Sequence, residues 1–156
     1  MKKIITIFSI MLYGCASSLS VDRVSDTPID TTTHEIVLLD STKFDYDLKK
    51  SLIKYGFKVK NTPSIVSKEK KVDESTSLSY NISEARYGIN QYPGAVIDWC
   101  LYNKQVKFDE YTLELVDLET NDTILFIKKG GWTGNCFPST GKLFEELALE
   151  LKKNWE

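Results

Sequence analysis

The sequence predicts an α+β domain, a two-layer α/β sandwich in which a mostly antiparallel sheet of five or six strands carries two amphipathic helices on one face. Three observations lead to this prediction. Several short segments alternate apolar and polar residues, as half-buried strands do. Two longer segments repeat apolar residues at helical spacing. The chain has 156 residues, 42% of them hydrophobic, which is enough for one core.

The first predicted elements are a strand, a helix and a second strand. Residues 35–39 (EIVLL) form the short apolar run that is typical of a buried strand. Phe44, Leu48 and Leu52 then recur at helical spacing. Gly56 stands where the C-cap of this helix is expected. Residues 57–60 (FKVK) alternate as the second strand.

The middle of the chain predicts two strands separated by loops. Residues 61–77 are polar, mixed in charge and carry a proline, so we expect a mobile surface loop. Residues 78–83 (LSYNIS) alternate as a strand, and residues 96–102 (VIDWCLY) are also strand-like. The segment between them, residues 86–94 (RYGINQYPG), holds two glycines and a proline and is predicted to be a loop.

A hairpin and a helix complete the predicted domain. Residues 111–116 and 124–127 are predicted strands, and the turn between them contains Asn121, which tolerates the left-handed conformation of a tight turn. Ser139 is the expected N-cap of the last helix. Its apolar face repeats every four residues at Leu143, Leu147, Leu151 and Trp155.

The N-terminus has the pattern of an export signal. Two lysines precede an apolar run that is too short for a permanent membrane-spanning helix. The run ends in residues 12–15 (LYGC), which resemble the lipobox of bacterial lipoproteins. The resemblance implies removal of residues 1–14 and lipidation of Cys15, whose thiolate is a strong nucleophile. The membrane is therefore the first expected partner, reached through the N-terminal lipid.

The segment after Cys15 is predicted to be a tether. Residues 16–34 are rich in Ser, Thr and Asp, and they lack periodic apolar residues. We therefore predict three parts: a signal peptide at 1–14, a lipidated cysteine with a flexible tether at 15–34, and one globular domain at 35–156. Ala16 follows the cysteine, at the position where an aspartate would mark retention at the inner membrane. The resemblance to lipoproteins of the enteric type thus implies the periplasmic face of the outer membrane.

The two remaining cysteines are expected to form a disulfide. Cys100 and Cys136 are an even pair in an oxidising compartment. Two buried, reduced thiols are the alternative. We expect no metal site, because a zinc site needs four closely spaced ligands and the chain has one histidine.

The hairpin and the final helix carry a second resemblance. Asp117, Thr120 and Asn121 lie between two strands and are followed by a glycine-rich loop and an amphipathic helix. Over roughly residues 110–155 this pattern is similar to small periplasmic lipoprotein domains, including those like the N-terminal domain of TolB and the curli-secretion lipoproteins. The resemblance implies a fold more than a function.

The sequence lacks the residues that several classes of function require. The chain carries 20 Lys and Arg against 22 Asp and Glu, so it has no basic footprint for nucleic acid. The glycines around Lys142 have the wrong spacing for a nucleotide-binding loop, and we expect no cofactor. A Ser–His–Asp triad would have to recruit His34 from the edge of the tether. Paired carboxylates, such as Asp109 with Glu110 or Asp117 with Glu119, leave cell-wall chemistry open as an alternative.

Aromatic residues in two predicted loops are candidates for contact with a partner. One loop holds Arg86, Tyr87 and Tyr92, and the other places Trp132 among glycines. Tyr, Trp and Arg are frequent in binding hot spots because they combine a large contact area with a polar group. The alternative is that the rings fold back over the sheet.

The sequence therefore predicts a membrane-anchored periplasmic lipoprotein that acts as a non-catalytic binding or assembly factor of the cell envelope. Its expected partner is a protein or another envelope component. Two alternatives remain: a periplasmic enzyme that acts on the cell wall through carboxylates, and an inhibitor that inserts residues 86–94 into a hydrolase.

Overall fold

The computed structural model describes residues 18–60, 65–71, 77–83 and 85–156. It contains nine strands and two helices within these ranges. In chain order they are β1 (Ser20–Arg23), β2 (Glu35–Leu38), α1 (Asp45–Lys54), β3 (Lys58–Lys60), β4 (Ile65–Lys71), β5 (Ser77–Ser83), β6 (Tyr87–Pro93), β7 (Val96–Trp99), β8 (Val106–Asp117), β9 (Asp122–Trp132) and α2 (Leu143–Trp155).

Seven of the described strands form one open mixed sheet. Its order is β1-β9-β8-β6-β2-β3, and β7 also pairs with β8. Strand β2 is parallel to β3 and to β6, whereas the other pairs are antiparallel. The predicted α+β class and the mostly antiparallel sheet are confirmed. The sheet has one strand more than the upper predicted number.

The core lies between the helices and one face of the sheet. Alternate residues of β8, among them Leu113 and Leu115, join Leu48 of α1 and Leu147 of α2 in one buried cluster. The predicted apolar face of the last helix is buried from Leu143 to Trp155. No helix in the described part of the chain is long and apolar enough to span a membrane.

The predicted tether is corrected by the structure at its C-terminal side. Val21 pairs with Ile127, so the segment adds β1 to the sheet, and Ile29 is buried against the core. The folded unit therefore begins at or before Ser20, and not at residue 35 as predicted. A strand held by backbone hydrogen bonds to β9 leaves little trace in its own side chains, so the polar composition was misleading. The signal peptide and Cys15 lie outside the described residues.

Two predicted loops are strands in the structure. Within residues 61–77, β4 pairs antiparallel with β5 as a separate hairpin, and β5 contains the predicted strand 78–83. Residues 86–94 contribute β6, an interior strand between β2 and β8. Gly88 lies close to Leu39, because a Cβ at this position would lie 2.7 Å from the Leu39 side chain, which would have to move. Glycine and proline in this segment therefore reflect close packing and a strand end, not a loop.

The turns were predicted with mixed success. Asn121 has a φ of 61°, so the left-handed turn between β8 and β9 is confirmed. The predicted N-cap at Ser139 is wrong, because α2 begins at Leu143 and Lys142 occupies the cap position. Ser139 instead pairs with Cys136 in a short bridge.

Candidate functional site

A disulfide joins two loops at one end of the sheet. Cys100 and Cys136 are bonded, with their Cα atoms 5.6 Å apart, which confirms the predicted pair. Cys100 begins the loop between β7 and β8, and Cys136 lies in the loop that follows β9. We call residues 99–105 and 133–139 the disulfide end.

The first loop is a short hairpin connection with internal hydrogen bonds. The N–H of Cys100 donates to the carbonyl of Gln105 at 2.9 Å, directly after the last β7–β8 pair. Asn103 accepts a hydrogen bond from the N–H of Gln105 at 3.1 Å. Its side-chain amide donates to the carbonyl of Asn135 at 2.8 Å, which adds a second link between the loops.

The second loop is held by hydrogen bonds from both of its ends. Thr133 donates its N–H to the carbonyl of Val106 at 2.9 Å and its hydroxyl to the Gln105 side chain at 2.7 Å. Cys136 and Ser139 exchange backbone hydrogen bonds across the turn that contains Phe137. The two loops therefore form one cross-linked unit, and their side chains keep fixed relative positions.

Four large apolar side chains project from this unit into solvent. Trp99 is 64% exposed, Leu101 93%, Tyr102 88% and Phe137 90%. They share a groove of about 330 Å³, which Trp132 also borders. Contiguous apolar surface of this kind is uncommon on a protein that has no partner. The disulfide end is therefore the candidate functional site.

A second, larger groove lies where the disulfide end meets the start of α1. It encloses about 770 Å³ between the segment 99–106 and residues Lys43, Phe44 and Asp47. The Lys43 ammonium lies 6.0 Å from the centroid of the Trp99 ring and 5.0 Å from that of Phe44. Trp99 therefore stands between the two grooves, with a cation near its ring.

The predicted contact residues do not lie together. Trp132 ends β9 and borders the disulfide end. Tyr87 is fully buried, and its hydroxyl accepts a hydrogen bond from the Asp30 N–H at 2.7 Å, which removes it from any partner surface. Arg86 forms an ion pair with the buried carboxylate of Asp117 at 3.1 Å. The expected grouping of Arg86, Tyr87 and Tyr92 on one loop is thus wrong, because these residues belong to the start and end of β6.

Tyr92 belongs to a polar cluster on the sheet face opposite the helices. It is about half exposed, and its hydroxyl donates to the Glu114 carboxylate at 2.6 Å. Asn90 donates to the same oxygen at 2.9 Å, and Thr123 donates to the other at 2.5 Å. Burial acts to raise the pKa of Glu114, but the hydrogen bonds from Thr123, Tyr92 and Asn90 outweigh it and hold the pKa below its ordinary value.

The Glu114 cluster predicts an acid-dependent loss of stability. Because the folded state lowers the Glu114 pKa, its contribution is present above the ordinary value of 4.5 and is lost as the pH falls through the lowered value. Glu114→Gln should therefore cost about 1–2 kcal/mol of unfolding free energy at pH 7, since charge-assisted hydrogen bonds become neutral ones. Urea unfolding at pH 7 and pH 3 measures the effect, and the cost should shrink at pH 3.

The exposed carboxyl of Asp26 provides the control for this experiment. Asp26→Asn should change the unfolding free energy by less than about 0.5 kcal/mol at either pH. An equal cost of Glu114→Gln at both pH values would show that the charge of Glu114 does not stabilise the fold.

The carboxylates considered for cell-wall chemistry have structural partners. Asp117 is held by Arg86 and accepts a hydrogen bond from the Glu119 N–H at 2.9 Å. Asp109 accepts a hydrogen bond from the Glu110 N–H at 2.6 Å. In the ranges that the structure describes, His, Cys, Asp and Glu side chains do not gather in a group of three that could hold a metal ion.

Sequence reasoning missed Leu101, Tyr102 and Phe137. A strand was predicted across residues 96–102, but β7 ends at Trp99. The sequence did carry a signal of this exposure, because residues 99–102 (WCLY) are apolar without a break. Successive side chains of a strand point to opposite faces, so an edge hairpin cannot bury all of them on one face. Phe137 gave no comparable signal beyond its place beside a proline.

Comparison with known proteins finds a similarity in the path of the backbone. Neither protein-family models nor curated protein sequences match the chain. The solved structures that are similar to it include two PelC dodecamers from Paraburkholderia phytofirmans, one of them a point variant. They are 14% and 13% identical, with TM-scores of 0.46 and 0.45, and the match covers 88% of this chain and 97% of theirs.

Proposed function

We propose that the protein is a membrane-anchored periplasmic lipoprotein that acts as a non-catalytic binding or assembly factor of the cell envelope, and that it contacts an envelope component through the disulfide end. The observation that carries the proposal is the exposure of Trp99, Leu101, Tyr102 and Phe137 on two cross-linked loops. Other large apolar side chains in the described part of the chain are also exposed, among them Tyr46 and Val24, but these four gather on two joined loops around one groove.

The disulfide end has the physical properties of a binding surface. Covering an exposed side chain such as Leu101 yields about 1.5–3 kcal/mol, and the site offers four large apolar side chains. Because the loops are already ordered by the disulfide and by the Asn103–Asn135 hydrogen bond, little conformational entropy is lost on contact. Tryptophan also brings an indole N–H and tyrosine a hydroxyl group for hydrogen bonds to a partner.

The anchor and the location are supported by the N-terminal sequence. Residues 12–15 resemble a lipobox, and the same resemblance, with Ala16 after the cysteine, implies the outer membrane and not the inner one. Lipid on Cys15 would hold the domain on the periplasmic face without a membrane-spanning helix. A non-catalytic role fits the observation that Asp117 and Glu114 are engaged in structural hydrogen bonds.

A photo-crosslinking experiment in intact cells tests the proposal. A photoreactive phenylalanine analogue replaces Leu101 in one variant and Val24 in another. Val24 is also exposed, but it bonds to Ile124 at the opposite end of β9. We expect envelope adducts from position 101 and few from position 24, because only the first lies on the proposed contact surface.

The intact mass of the uncrosslinked protein provides the matching test of the anchor. It should equal that of a chain that begins at Cys15 and carries acyl groups. Equal adduct yields at positions 101 and 24 would contradict the contact surface. An unmodified Cys15 in the membrane fraction would contradict the anchor.

A further inference from the structure

The N-terminal strand approaches the sheet from the side of the disulfide end. In the antiparallel pair β1–β9, Ser20 lies opposite Lys128 and Arg23 lies opposite Leu125. Strand β9 continues past Lys128 to Trp132 and then into the second loop of the disulfide end. Ser18 and Leu19, the described residues that precede β1, therefore lie toward the same side of the sheet.

Chain length limits how far Cys15 can lie from Ser20. Five peptide units separate Cys15 from Ser20, and they span at most about 18 Å. The four residues from Lys128 to Trp132 advance about 13 Å along β9. A lipid on Cys15 would thus hold the disulfide end within reach of the membrane surface.

We propose that the disulfide end enters the headgroup region of the membrane to which Cys15 is attached. The domain is then held by its lipid and by its own side chains, and its orientation on the membrane is set. This inference rests on the lipid anchor of the proposed function. It names the lipid surface as the envelope component that the disulfide end contacts.

The exposed side chains have the chemistry of a membrane interface. Trp99 and Tyr102 combine an apolar ring with a polar atom, and such residues favour the headgroup level. Leu101 and Phe137 are wholly apolar and suit the boundary with the acyl chains. All four project from two adjacent loops that border one groove, so they can enter a flat surface together.

Charges around the two grooves nearly balance. Lysines and aspartates border them in similar numbers, namely Lys43, Lys104, Lys107, Asp47 and Asp98. Electrostatic attraction to anionic lipid therefore contributes little, and burial of apolar surface must drive the docking. We accordingly expect weak dependence on salt and on the anionic lipid content.

Tryptophan quenching by brominated lipids tests this proposal. Lipidated protein purified from membranes is reconstituted into vesicles of phosphatidylethanolamine and phosphatidylglycerol, with or without bromine on the acyl chains. Bromine quenches only nearby tryptophan, so we expect quenching of the unsubstituted protein. Trp99→Phe should remove most of it, because Trp132 is half-buried and Trp155 is buried in the core.

Substitution of the neighbouring side chains gives a second readout. Leu101→Ser with Tyr102→Ser should lower the docked-to-undocked ratio by about tenfold or more, since burial of one large apolar side chain changes an equilibrium by that much. Val24→Ser, at the opposite end of β9, should leave the quenching unchanged. Both variants keep Trp99, so the same signal reports on each.

The outcomes separate this inference from the proposed function. Protein that floats with the vesicles but shows no bromine quenching would overturn lipid docking and leave the anchor standing. Protein that neither floats nor is quenched would overturn both. Quenching that persists when Trp99→Phe is combined with Trp132→Phe would come from outside the disulfide end and would also overturn the proposal.

Discussion

Replacing Trp155 by alanine is expected to lower the free energy of unfolding by about 3–5 kcal/mol, which is the usual cost of removing a fully buried aromatic side chain. Trp155 is 1% exposed at the end of α2. Its ring lies edge-on to Tyr87 and Phe57, with centroid distances of 4.8 and 5.0 Å. The indole therefore joins the last helix to β6 and to the segment before β3.

A hydrogen bond is the second way in which Trp155 contributes to the free energy of unfolding. The indole N–H donates to the carbonyl of Thr33 at 2.9 Å, directly before β2. Trp155→Phe keeps most of the apolar ring and loses this bond, so it should cost only about 1–2 kcal/mol. The difference between the two variants separates packing from hydrogen bonding.

Urea unfolding followed by circular dichroism measures both variants. Leu149→Ala provides the control, because Leu149 lies on the same helix but is partly exposed; its cost should stay below about 1 kcal/mol. A cost of Trp155→Ala no larger than that of Leu149→Ala would show that the end of α2 does not pack into the core.

Removal of the disulfide by Cys100→Ala with Cys136→Ala should cost about 4 kcal/mol in the chain-entropy account. The bond closes a loop with a sequence separation of 36 residues. That loop contains all of β8 and β9, so the unfolded chain gains much freedom when it opens. A loss of this size is a large share of the stability of a typical domain.

Reduction of the unsubstituted protein provides a matched comparison. A reducing agent should lower its unfolding midpoint to that of the double variant, and it should leave the double variant unchanged. If reduction has no effect on the unsubstituted protein, the disulfide does not contribute to its stability. Either form should also give fewer adducts from position 101, because the two loops of the disulfide end are no longer covalently joined.

The elements predicted correctly are those whose signal is local. The turn at Asn121 follows from the tolerance of asparagine for positive φ. The last helix follows from apolar residues spaced four apart, beginning at Leu143 and ending at Trp155. The Cys100–Cys136 bond follows from the even pair of cysteines that remains after Cys15 is set aside, which an exported chain is expected to oxidise.

The elements predicted wrongly depend on distant partners. Strand β1 exists because β9, about a hundred residues later, offers its free edge to the backbone of Val21. Strand β6 contains Gly88 and ends at Pro93, and it holds its place because β2 and β8 bond to its two sides. Neither arrangement can be read from the residues of the strand itself.

The candidate site shows the same division. Sequence alone predicted the disulfide, which the structure confirms. It also predicted an export signal, lipidation of Cys15 and a contact role for Trp132, and these stay predictions. Only the tertiary structure decided that Tyr87 belongs to the core and that Leu101, Tyr102 and Phe137 share one exposed surface. The physical reason is that burial depends on packing. A tyrosine or a leucine is chemically the same in the core and at the surface, and only its neighbours in space determine whether water reaches it.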